Sequence, residues 1–249
     1  MYDMIYKSIL AAMALPPSIL ILSSIIITIV VVFVPLFFQR KIYMKSEYFE
    51  ETKTHFWKMR RDLGLYGEYL ISKQLAKLEG NKRFLFNCYL PKKDGTTSEV
   101  DVILLHSSGI YVFESKNYSG WIFGTETQSM WTQTFKNGHK EKFYNPIMQN
   151  STHIKWLLNI LPDIDRSIVN SVIVFSERCE LKKITLTTDN HIVLKRNSLL
   201  RTFVGKTDVE MLSYNTIESI YQKLYPFTQV SEAVKTAHIN NVTRSTNNE

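Results

Sequence analysis

Three kinds of hydrophobic pattern follow one another along the chain. Residues 18–34 have no period at all, since every position is apolar or carries a hydroxyl. Pro16, Pro17 and Pro35 bracket this run, and Leu36, Phe37 and Phe38 extend it to the roughly 20 residues a helix needs to cross a bilayer core. The hydroxyls fit such a helix because they can bond back to its carbonyls. A signal peptide would show a shorter apolar core and a small-residue cleavage site. Here Phe37-Phe38-Gln39-Arg40-Lys41 follows, so the run reads as a membrane anchor.

Beyond the anchor the periods become those of a folded domain. Residues 42–62 form a charged amphipathic helix or linker, and helix formers dominate from Leu65 to Glu79 before the stop at Gly80-Asn81. Runs rich in aromatic and β-branched residues then predict strands over Arg83–Leu90, Glu99–His106 and Ile110–Asn117, with a turn at Pro91–Thr97. Trp121–Tyr144, which contains Asn137-Gly138, predicts one or two hairpins. Asn145-Pro146 has N-cap and first-turn chemistry for a helix running to Leu161, ahead of Pro162. Ser167–Phe175 is continuously apolar, as a strand covered on both faces would be. Helical patterns return over Ser198–Phe203 and Asp208–Tyr225, and after Phe227 a polar tail is expected to be disordered. The order predicts an α/β domain, a mixed β-sheet flanked by helices, behind one N-terminal transmembrane helix.

Composition sharpens this division. Residues 8–39 carry no charge, so the other 217 hold all 30 basic and 23 acidic side chains, about 24%, an ordinary level for a globular domain. That excludes a disordered chain and a multi-span membrane protein. The net charge of +7 is unevenly placed: residues 40–61 hold seven basic side chains against three acidic ones. Such a juxtamembrane cluster is attracted to anionic headgroups and needs no nucleic acid to explain it. Arg40, Lys41 and Lys45 follow the apolar run closely while Lys7 alone precedes it, so the positive-inside bias puts the domain in the cytoplasm. Cys88 and Cys179 belong to no Cys/His cluster, which argues against zinc and disulfides.

Asp101, Glu114 and Lys116 interrupt two strands otherwise apolar enough to be buried. Side chains alternate along a strand, so Glu114 and Lys116 share a face. If Ser107-Ser108 is a two-residue hairpin loop pairing His106 with Gly109, then Asp101 lies opposite Glu114, and Glu99 opposite Lys116. Cross-strand Cβ atoms lie about 5 Å apart, close enough for two carboxylates to share one divalent cation. Hard oxygen donors without His or Cys favour Mg²⁺ or Mn²⁺ over zinc. A cation so held could activate water while the lysine neutralises a scissile phosphate, which is phosphodiester hydrolysis. Spacing alone equally allows a salt-bridged Asp/Glu/Lys set at a strand end.

Four motifs in order now point to a family. Gly64-Leu65-Tyr66-Gly67-Glu68, Ser98-Glu99-Val100-Asp101, Gly109 through Gly120 with Glu114-Ser115-Lys116-Asn117 inside it, and Asn145-Pro146-Ile147-Met148-Gln149 together resemble the nuclease-related domain, NERD, of the PD-(D/E)xK nuclease superfamily. The resemblance covers roughly residues 62–175. It implies a restriction-endonuclease-like core and a Mg²⁺- or Mn²⁺-dependent nuclease site acting on DNA or RNA. In that reading Asp101 and Glu114 are metal ligands, Lys116 is the catalytic lysine, and Glu68 and Gln149 are supporting site residues. The implied organisation is an anchor over 1–39, a basic juxtamembrane segment over 40–61, a nuclease-like domain over 62–226 and a tail over 227–249. The alternatives are a non-catalytic nucleic-acid-binding or signalling module on the same fold, and a membrane scaffold.

Read from the residues alone, Glu68 lies on a helix face bounded by Leu65, Ile71, Leu75 and Leu78, and points either to the sheet or to solvent. Gln149 shares a face with His153, Trp156 and Ile160. His106 reads as a loop residue, and Trp121, Phe123, Trp131, Phe135 and Tyr144 either stack on bases or, as hairpin aromatics, cover a sheet. Lys136, Lys140 and Lys142 read as a solvated hairpin tip. No P-loop, nucleophile elbow or dinucleotide fingerprint appears.

Overall fold

The computed structural model describes residues 3–5, 7–8, 16–205 and 209–247. Part of the expected anchor and the expected helix start at Asp208 lie outside these. The chain divides into two compact units, Met1–Ser46 and Glu47–Glu249.

The first unit contains an apolar helix, α1, over Pro17–Tyr43, whose 27 residues are long enough to cross a membrane. Ser23, Ser24 and Thr28 bond back to the carbonyls of Leu20, Ile21 and Ser24, so these three hydroxyls are satisfied within the helix. A π-helical turn over Ile29–Phe33 precedes Pro35, whose ring cannot donate to the carbonyl four residues earlier.

The second unit begins with α2 (Glu47–Thr52), α3 (Phe56–Arg61) and α4 (Leu63–Leu75). Residues 47–61, expected as part of a juxtamembrane linker, pack into the domain instead, because Tyr48, Phe56 and Met59 turn inward and are buried. A five-stranded sheet follows in the order β1-β2-β3-β7-β9, where β1 is Lys82–Pro91, β2 Thr97–His106, β3 Gly109–Lys116, β7 Val169–Phe175 and β9 His191–Lys195. A second sheet has the order β6-β5-β4-β8, with β4 at Gly120–Thr125, β5 at Met130–Thr134, β6 at Lys140–Tyr144 and β8 at Cys179–Thr185. The fold is mixed α/β, as expected, but with two sheets rather than one. Strands β8 and β9 carry the interrupted pattern of partly exposed positions and were not legible as strands.

The β2–β3 hairpin has the expected register, with His106 opposite Gly109 and Val102 opposite Phe113. Strand β3 then pairs with β7 in parallel, which requires a crossover; α5 (Pro146–Ile160) provides its helix. Asn145 caps that helix by accepting from Ile147 N at 2.9 Å, while its amide donates to the carbonyls of Thr125, Glu126 and Gln128. The Asn-Pro pair thus starts the helix and clips it to the β4–β5 turn. One core packs Leu85, Ile103, Ile110 and Val112 of the first sheet against Ile154 and Leu157 of α5, together with Ile217 and Ile220. The second sheet stacks Trp131 on Phe175 at 6.1 Å, so the expected base-stacking or sheet-covering Trp131 covers the sheet.

The C-terminal part holds α6 (Leu199–Phe203), α7 (Tyr214–Leu224) and α8 (Glu232–Asn247). The last of these corrects the expectation of a disordered tail. Its residues are polar, but His238 anchors it: the ring lies edge-on to Tyr89 at 5.5 Å and hydrogen-bonds Thr97 Oγ1 at 3.0 Å.

Candidate active site

Asp101, Glu68, Glu114, Lys116 and Gln149 come from four separate elements. Glu114 sits at the centre, only 2% exposed. Its Oε1 is 2.8 Å from Lys116 Nζ, and its Oε2 is 3.0 Å from His153 Nε2 on α5. Burial opposes charge on Glu114, but Lys116 and His153 outweigh it and hold the carboxyl below its usual range. A carboxylate only accepts, so the Nε2 proton belongs to His153 and its Nδ1, in the neutral ring, accepts from Ser98 Oγ at 2.7 Å. Lys116 also donates to Gln149 Oε1 at 3.0 Å. Burial works against its ammonium, yet the Glu114 charge prevails and raises its pKa.

Asp101 lies one step past the last pair of the β2–β3 ladder, and its Oδ2 accepts from Ser115 N at 2.7 Å. Burial first, then repulsion from Glu114 and Glu68, drives its pKa well above the carboxylate range. The β1–β2 ladder also omits this level: Phe86 pairs with Val102 and Cys88 with Val100, but Asn87 makes no pair with Asp101. Asn87 has φ 49°, a left-handed conformation rare outside glycine and often found at functional sites. The turn aims its amide at Glu68, which accepts from Asn87 Nδ2 at 2.7 Å and from Tyr48 OH at 3.1 Å. Glu68 therefore points inward, and burial pushes its carboxyl up to about 7 despite those two donors.

The helix bearing Glu68 approaches β3 closely because of Gly67. A Cβ there would lie 2.7 Å from Ser115 Oγ, so a side chain at 67 makes either that hydroxyl or α4 shift beside the strand that carries Glu114 and Lys116. Asn117 ties the same corner by donating to Leu63 O at 2.6 Å.

Asp101 and Glu114 are the residues that could hold a cation. Their donor type suits a hard divalent ion that keeps several waters, and the repulsion raising Asp101 is what such an ion would relieve. Both Glu114 oxygens are already engaged, so Lys116 would have to yield Oε1. Among the described residues no group of three or more His, Cys, Asp or Glu side chains is arranged to hold a metal.

Residues 63–176 match the family model of the nuclease-related domain, NERD. An uncharacterized protein of Bacillus anthracis is 32% identical over 182 residues, covering 71% of this chain and 82% of that one. The chain belongs to the nuclease-related domain family.

The NERD segment contains all five expected residues, and the structure brings Glu114, Lys116 and Gln149 into direct contact while Glu68 stays on separate partners. Sequence reasoning missed Tyr48, Asn87, Ser98 and His153. His153 shared the inward face with Gln149, one helical turn on, and that spacing was the available signal. For Asn87 and Tyr48 no pattern marked a role. His106 is no bare loop residue: fully buried, its ring bonds Glu79 O at 2.6 Å and Ser108 Oγ at 2.8 Å, shaping the hairpin away from the site.

Proposed function

We propose that this NERD protein hydrolyses phosphodiester bonds of DNA or RNA with the help of Mg²⁺ or Mn²⁺. The observation that carries the reading is the buried contact of Glu114 with Lys116, with Asp101 one ladder step away. A divalent ion held by Asp101 and Glu114 would supply Lewis acidity toward a phosphate oxygen and a more acidic water. Lys116 neutralises the scissile phosphate, and Gln149 keeps its amine in place when Glu114 turns away. Glu68, titrating at about 7, can take or return a proton near neutral pH. His153 and Ser98 fix the Glu114 carboxylate.

The same reading places the protein at a membrane through α1, with the domain on the cytoplasmic side. Arg40, Lys41 and Lys45 after the apolar run support this orientation. Labelling of single cysteines introduced on either side of α1, in intact and permeabilised cells, tests it; a domain-side cysteine labelled in intact cells would reverse the orientation.

The full chain in neutral detergent, with Mg²⁺ or Mn²⁺, is assayed on single- and double-stranded DNA and on RNA, with Glu114→Ala and Lys116→Ala as controls. Cleavage surviving in both variants would refute the site. A second reading, a non-catalytic binding module, is favoured by one observation: both Glu114 oxygens are already engaged by the protein's own Lys116 and His153. Binding without cleavage of any of the three substrates would select it.

A further inference from the structure

We propose that the corner between α3 and α4 is a platform for single-stranded nucleic acid, taking one unpaired base on Trp57 and the neighbouring phosphates on Lys58 and Arg61. It rests on the phosphodiesterase reading for the fate of the strand, though not for its binding.

The corner forms an open concavity of about 660 Å³ lined by His55, Trp57, Lys58, Arg61 and Asp62. Phe56 and Met59 turn into the domain, and this leaves Trp57 44% exposed, with cations one and four residues on. An exposed aromatic face beside ammonium and guanidinium groups is the chemistry that binds unpaired bases and their backbone. Asp62 turns its Oδ1 to Gly64 N at 2.8 Å and Leu65 N at 3.1 Å as the cap of α4, and its single charge leaves the lining cationic because Lys58 and Arg61 are two.

The platform adjoins the carboxylate site. Leu63, two residues past Arg61, accepts from Asn117, and Asn117 directly follows Lys116. Arg178 donates to both oxygens of Asn117 at that junction. Cations therefore stand on the platform, at the junction and in the site, where a polyanion leading to Lys116 would need them. A single strand fits better than a duplex because the stacking face of a paired base is covered by its neighbours. An anionic lipid headgroup would use the same cations but has no use for continuity with Lys116.

The test uses the full chain in neutral detergent with EDTA, a fluorescein-labelled 12-nucleotide single strand and its duplex. Anisotropy should show preference for the single strand. Trp57→Ala should weaken binding by about tenfold or more, Trp57→Phe should retain most of it, and Arg61→Glu should weaken it and flatten its salt dependence. Wild-type affinity in both Trp57→Ala and Arg61→Glu would overturn the platform. So would a Trp57 fluorescence signal that responds to brominated anionic phospholipid in nanodiscs and not to the oligonucleotide, which would assign the corner to the membrane surface. Cleavage by Trp57→Ala with unchanged KM would remove the platform and leave the hydrolase reading intact. Binding that needs Trp57 without cleavage of any substrate would do the reverse.

Discussion

Lys116 holds its ammonium 2.8 Å from Glu114 Oε1, on the carboxylate that a cation shared with Asp101 would use. The amine and the metal therefore compete in the resting protein. Lys116→Met should bind Mn²⁺ more tightly than the wild type while losing hydrolysis, and titration calorimetry on the resting protein measures the first effect without turnover. Weaker Mn²⁺ binding in that variant would show that the amine assists the ion.

The same pair predicts a stability coupling. Removing one partner of a buried ion pair leaves an uncompensated charge, and Lys116→Met should cost about 3 kcal/mol without metal. Adding Glu114→Gln removes that charge, so the double variant should be more stable than the two single losses imply. Urea unfolding of all three variants checks this, and simple additivity would count against the coupling.

Glu68 gives the domain a pH dependence of the opposite sign to a salt-bridged acid. Its carboxyl titrates at about 7 in the fold and near 4.5 when unfolded. Between these values the unfolded chain has released a proton that the folded one keeps, so stability falls as pH rises. The loss attributable to this group is on the order of 3 kcal/mol, complete above about pH 7. Glu68→Gln should remove that component of the slope between pH 5 and 8 in denaturant unfolding; an unchanged slope would place the titration elsewhere.

Gly67→Ala sets two effects against each other. Alanine gains about 1 kcal/mol of helix propensity, but its Cβ meets Ser115 Oγ at 2.7 Å. Overpacking of this kind usually costs about 1–3 kcal/mol, so the single variant should lose stability and activity. Ser115→Ala deletes the offending oxygen, and the double variant should recover. Thermal unfolding and activity of the single and double variants decide it, failure to recover meaning that α4 is held off by something else.

His153 should matter through Glu114. His153→Ala orphans a buried carboxylate oxygen and the Ser98 hydroxyl, for about 1–3 kcal/mol of stability. It should lower kcat by tenfold or more with little change in KM, while His153→Gln, which keeps a donor, should retain most activity. Equal losses in both would mean that the ring has a role beyond the hydrogen bond.

The strand pair bearing Asp101, Glu114 and Lys116 was legible because charge inside an apolar run is conspicuous and a two-residue turn leaves one register. Asn145-Pro146 was legible because capping chemistry is local. Asn87 was invisible for the opposite reason: its role depends on a left-handed backbone set by tertiary packing. Tyr48 was hidden by the charged residues around it, which made residues 47–61 resemble a linker. The polar tail misled because one histidine contact, with no periodic signature, docks α8 on β1 and β2.

The order of strands also bears on how the site is assembled in time. Strands β1, β2 and β3 are consecutive neighbours joined by short turns, so Asp101 meets Glu114 through contacts that close within microseconds in isolated hairpins. Lys116 and Gln149 are 33 residues apart, and Glu114 and His153 are 39 apart. These must await the crossover helix, whose loop closure is slower and entropically dearer. The carboxylates are thus brought together with Lys116 already beside Glu114 on β3, and before His153 and Gln149 arrive. Unfolding-rate effects should dominate for His153→Ala and folding-rate effects for substitutions at the Ser107-Ser108 turn, a contrast that φ-values measure directly.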